Sequence, residues 1–149
     1  MKKHHAAAAL GMSKTDFEKL ANFRYQLRRF LRFSEDVTRK HGIPVLQYLL
    51  MLQIRGFPGR EWATVGELAE RLQAKHHGVV ALISRCEAAG WVKRSPSESD
   101  RRRVEVRLTG KGARFLEQLA QLHRTELSSL RGEFVVPDLR VDDATGLRG

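Results

Sequence analysis

The stretch TVGELAERLQAKHHGVVALISRCEAAGWVKRSPSESDRRRVEVRLT, from Thr64 to Thr109, decides the fold. Thr64 precedes Val65, Leu68, Ala69 and Leu72, whose spacing of three and four marks a short amphipathic helix. Glu67 stands at the third helical position, so Thr64 and Glu67 fit a capping box in which each side chain satisfies a backbone donor of the helix start. A break at Gln73-Ala74 leads to a second helix, about Lys75 to Ala89, with Val79, Leu82, Ile83 and Cys86 facing inward and Gly90 ending it. Trp91 to Ser95, a polar loop from Pro96 to Arg102, and the segment Arg103 to Thr109 follow. In the last of these Val104, Val106 and Leu108 alternate with Arg103, Glu105 and Arg107, the period of a half-buried strand. Two short helices joined by a tight turn and followed by a β-hairpin describe a winged helix-turn-helix.

The charge follows this unit. Between Lys75 and Arg114 ten basic residues face four acidic ones, a local excess of +6 within a chain whose net charge is +10 and whose sequence pI is about 10.5. Such a balance favours a polyanionic partner, nucleic acid or an anionic membrane surface, without choosing between them. A helix is about 10–12 Å wide and fits the major groove, so the second helix of the unit is placed to enter it while the hairpin tip reaches the backbone or the minor groove.

Outward from the motif the chain reads as helix. Phe17, Leu20, Phe23, Leu27, Phe30, Leu31 and Val37 recur along one face of a long first helix starting near Ser13 or Thr15, with Thr15 and Glu18 as its capping box. His41-Gly42-Ile43-Pro44 ends it, and a second helix from Pro44 to about Ile54, apolar nearly all round, belongs in the centre. Thr109 caps a final long helix carrying Phe115, Leu116, Leu119, Leu122, Leu127 and Leu130. The expected fold class is therefore mainly α, strictly α+β. Residues 1–12 form a flexible N-terminal segment, 13–134 a single domain with its binding lobe at about 60–112, and 135–149 a loose tail.

Leu68-Ala69-Glu70-Arg71-Leu72, the run His76 to Arg85, Glu87-Ala88-Ala89-Gly90-Trp91-Val92-Lys93-Arg94, Asp100-Arg101-Arg102 and the Gly110-Lys111-Gly112 turn together resemble the MarR family of regulators. The resemblance covers roughly Pro44 to Leu130. It implies a sequence-specific transcriptional regulator of double-stranded DNA, a repressor released by a small ligand and acting as a homodimer on a near-palindromic operator. By position it implies that Lys75, His76, His77, Ala81 and Arg85 lie on the recognition helix and that Arg101 and Arg102 form the wing tip. Asp100 would orient a neighbouring arginine by a charge-assisted hydrogen bond. The family's intertwined terminal helices give a use for the long apolar stripes: Leu20, Leu27 and Phe30 on the first, Leu119, Leu122 and Leu130 on the last. The alternative is a basic winged-helix module that binds a protein partner, or nucleic acid without sequence preference.

Other readings of the same residues are weaker. His76 and His77 are adjacent, so they do not share a helix face, and no carboxylate or cysteine cluster accompanies them; no metal is expected. Cys86, the single cysteine, takes an inward position and reads as a small buried apolar residue; it permits no internal disulfide and fits a cytoplasmic protein. Phe17, Phe23, Phe30, Phe33 and Tyr48 read as core, with an aromatic effector pocket as the rival reading. MKKHHAAAAL is too short and weakly apolar for a signal peptide, and no apolar run nears the ~18 residues of a membrane span. No phosphate-binding glycine loop, nucleophile elbow or metal-spaced set is present, so neither an enzyme nor a cofactor is expected.

Overall fold

The computed structural model describes residues 11–132 and 134–139. The signal-like start, most of the expected flexible segment 1–12 and most of the tail 135–149 lie outside these. The described residues divide into two compact units, one from residues 11–32, 129–132 and 134–139, the other from residues 33–128.

Helix α1, Lys14–Lys40, begins in the first unit and ends in the second. Its cap differs from the one the spacing indicated. The helix starts directly after Ser13, so Ser13 and Asp16 form the reciprocal pair: the Asp16 N–H donates to the Ser13 hydroxyl (3.1 Å) and the Ser13 N–H to the Asp16 carboxylate (3.0 Å). Thr15 already lies inside the first turn, too late to cap it. Within the first unit Phe23 packs on Phe134, ring centroids 5.5 Å apart, and Leu130 is buried. Leu20, Leu27 and Phe30 are partly covered, while Phe17, Tyr25 and Leu31 are exposed.

In the second unit Gly42, at φ +77°, turns the chain out of α1 into α2, Val45–Arg55. Leu50, Met51 and Ile54 of α2 are fully buried. Around them pack Leu68 of α3 (Val65–Leu72) and Val79, Ile83 and Cys86 of α4 (His76–Ala88). The Thr64–Glu67 capping box of α3 is present in both directions, and Gln73, in the left-handed region at φ 51°, makes the tight turn into α4. The hairpin consists of β2, Val92–Pro96, and β3, Val104–Leu108, with Arg94 opposite Val106. A third strand escaped the sequence reading: β1, Trp62–Thr64, pairs antiparallel with β3 and makes β3 the central strand. Three residues are too few to display an alternation, and the pairing is with a segment more than forty residues away.

Thr109 caps α5, Gly110–Ser129, accepting from the Gly112 N–H (3.0 Å) while its hydroxyl donates to the Gly90 carbonyl (2.6 Å). Gly112 fits here without strain, whereas an added Cβ would collide with the Trp91 carbonyl oxygen and force the backbone to shift. Farther along α5, His123 is buried, stacked on Tyr48 at 4.7 Å with Phe33 at its edge. Its Nδ1–H donates to the Leu119 carbonyl (2.8 Å), which leaves Nε2 to accept from the Ser34 hydroxyl (2.9 Å). Phe33 and Tyr48, two of the aromatics considered for an effector pocket, are thus packed around this histidine.

Candidate nucleic-acid interface

The inward face of α4 is taken up by core packing, which fixes what its other face presents. Residues 77, 80, 81 and 84 follow the i, i+3, i+4, i+7 spacing of one helical face, and His77, Val80, Ala81 and Ser84 are all exposed. His76 and Arg85 flank them and are exposed as well. Lys75 occupies the N-cap in extended conformation with no side-chain capping bond, so the first N–H groups of α4 are left open at a solvent-facing end. Every position expected on the recognition helix therefore lies on accessible surface. Val80, 36% exposed, was not among them. Nothing in its residue type separates it from its core neighbour Val79; only the phase of the helix does.

The wing is a folded loop. The Ser97 N–H donates to the Arg103 carbonyl (2.9 Å) and the Arg103 N–H to the Asp100 carbonyl (2.9 Å), closing the tip. The Asp100 carboxylate accepts from the Arg102 backbone N–H (3.0 Å) and from its guanidinium Nε (3.4 Å), the orienting contact anticipated for this aspartate. Arg101, Arg102 and Arg103 are exposed, the Arg102 side chain at 93%.

The basic residues of this region divide by partner. Arg94 is tied to Glu87 of α4 and Arg107 to Glu105, each within 3.1 Å, and Lys111 sits over the Trp91 ring. Arg60 pairs with Glu67 and stacks between Phe57 and Trp62. These side chains hold the lobe together, whereas Lys75, Arg85 and Arg101 are exposed and form no ion pair among the described residues. Arg94 holds the Glu87 carboxyl below the usual glutamate range, first through its side-chain hydrogen bond and then through its backbone N–H. Burial pushes the Cys86 thiol up to about 12, which leaves almost no thiolate at neutral pH. Among the described residues no group of three or more histidine, cysteine or acidic side chains could hold a metal ion.

Of the residues anticipated for dimerisation, Leu119 is 0% exposed and belongs to the chain's own core. Leu122, at 37%, and Leu127 are the exposed leucines of α5. Among the described residues no helix is long and apolar enough to cross a membrane.

Residues 41–103 match the sequence model of the MarR family. A curated relative, the uncharacterized HTH-type transcriptional regulator YfiV of Bacillus subtilis, is 36% identical over 76 residues, 51% of this chain and 44% of YfiV. The chain spans about half the length of the curated relatives it matches. Among solved structures, a MarR family protein from Bacillus stearothermophilus superposes with a TM-score of 0.69 at 21% identity, covering 84% of this chain and 86% of that one. The S. aureus MepR F27L mutant bound to an oligodeoxyribonucleotide superposes with a TM-score of 0.59 at 19% identity, covering 73% and 78%.

Proposed function

We propose that the chain, which matches the MarR family model over residues 41–103, is a transcriptional regulator that binds double-stranded DNA in the cytoplasm as a homodimer, with one α4 in the major groove of each half-site. The observation that carries this reading is the pairing of an exposed α4 face with a closed wing tip whose Arg102 is held by Asp100 and projects into solvent. Lys75, Arg85, Arg101 and Arg102 supply phosphate contacts; His76, His77 and Ala81 face the base edges. The dimer forms through the apolar faces of α1 and α5, with Leu20, Leu27, Phe30 and Leu122 at the contact and Leu119 and Leu130 bracing it from inside each subunit. Release from the operator by a small aromatic ligand is part of the same proposal, resting on the family alone. Binding of the purified chain to a randomised duplex library tests it. Enrichment of an inverted repeat with half-sites about one helical turn apart supports a dimeric, sequence-reading regulator. Binding without enrichment, vanishing as salt rises, overturns it in favour of a nonspecific basic module.

A further inference from the structure

Which base features could α4 read? The strongest readers of base edges are side chains with two aligned hydrogen-bonding groups, such as Arg on guanine or Asn and Gln on adenine. The face formed by residues 77, 80, 81 and 84 carries none of them. Ser84, the one hydroxyl there, donates to the Val80 carbonyl of its own helix at 3.1 Å, so its proton is already engaged. What the centre of this face offers instead is methyl groups, two on Val80 and one on Ala81, both exposed. Val80, 36% exposed and outside the core cluster, is apolar surface on this face, with the exposed cationic side chains of Lys75 and Arg85 toward either end of the helix.

In the major groove one base feature matches such a surface: the C5-methyl of thymine. We propose that Val80, with Ala81 beside it, is a specificity-determining residue that packs on thymine methyl groups, so that each operator half-site carries thymine at one or two fixed positions under the middle of α4. This rests on the DNA-binding reading above and adds the chemistry of the sequence being read. Lys75 and Arg85 then position the helix on the backbone, and sequence preference comes mainly from apolar contact.

The test uses the full chain and the duplexes enriched from a randomised library, with each thymine replaced in turn by deoxyuridine, which removes the methyl and keeps base pairing. Loss of one buried methyl contact weakens binding about fourfold. The expected result is a loss of that size at one or two positions per half-site for the wild type. In Val80→Ala the loss should be much smaller at those same positions, with a cooperative thermal transition retained because the side chain lies outside the core cluster. An enriched motif with no deoxyuridine effect, or an equal effect in Val80→Ala, overturns the methyl-reading assignment and leaves DNA binding standing. Absence of any enriched motif overturns both.

Discussion

Glu87 of α4 accepts two hydrogen bonds from a single residue of the wing, one from the Arg94 backbone N–H at 3.0 Å and one from its guanidinium at 3.1 Å. The paired contact ties the helix to the first strand of the hairpin, because both a main-chain and a side-chain atom of β2 are held by one carboxylate. Removing the carboxylate therefore loosens the wing against the helix without touching either surface proposed to meet DNA.

The same pair predicts a pH dependence. The folded-state pKa of Glu87 lies below its ordinary value of 4.5, so the pair stabilises the fold fully above that value and the contribution disappears as pH falls through the lower, folded-state one. The difference in melting temperature between wild type and Glu87→Gln should be constant near neutrality and shrink below about pH 4.5. A difference that does not change on acidification would show that the carboxylate charge is not what Arg94 uses.

Cys86 should be inert in the folded chain. With its thiol at about 12 and its side chain fully buried, alkylation by iodoacetamide at neutral pH should be slow and should become rapid on adding denaturant. Peroxide should leave DNA affinity unchanged. Rapid labelling of the native protein would contradict both its burial and its place in the core.

Arg102→Ala should weaken binding to all duplexes alike and lower the slope of log affinity against log salt by about one unit. Asp100→Ala should give a smaller loss, since it frees the arginine from its orienting partner without removing it. Salt titrations on a selected and a scrambled duplex check both; an unaltered slope for Arg102→Ala would remove the wing contact.

Gly112→Ala places a methyl against the Trp91 carbonyl, and either α5 or the root of β2 must shift. A loss of about 1–3 kcal/mol in chemical denaturation is expected, whereas Gly78→Ala, with open space around the added atom, should be neutral or stabilising.

Leu122→Glu should convert a dimer to monomers in sedimentation while leaving the secondary structure intact, because the side chain is partly exposed in the subunit. Leu119→Glu should instead fail to fold, since it buries a charge in the core. A wild type that sediments as a monomer would dispose of the interface altogether.

Much of the lobe was legible because its signals are local. Val79, Leu82, Ile83 and Cys86 announce the buried face of α4 by their spacing, and Thr64 with Glu67 announces the start of α3; the structure contains both. What was not legible depends on distant partners or on choosing between equals. Trp62-Ala63-Thr64 becomes a strand only because β3 lies beside it. Ser13 and Thr15 are each followed three residues later by an acid, and the chain settles on the earlier pair. Leu119 and Leu122 share an apolar stripe in the sequence, yet one is enclosed by the subunit and the other is not. Val80 looks by residue type like any core valine, and only the phase that Val79, Leu82, Ile83 and Cys86 set for the helix places it outside.

The Thr109 hydroxyl, shared between the Gly90 carbonyl and the Gly112 N–H, has a mechanical meaning. It joins the end of α4 to the start of α5 across the root of the wing, where Gly112 lies so close to the Trp91 backbone that no side chain fits between them. Moving the start of α5 away from the end of α4 would therefore break the Thr109 hydrogen bond to Gly90. The corner between the two helices is thus made of one threonine and two glycines.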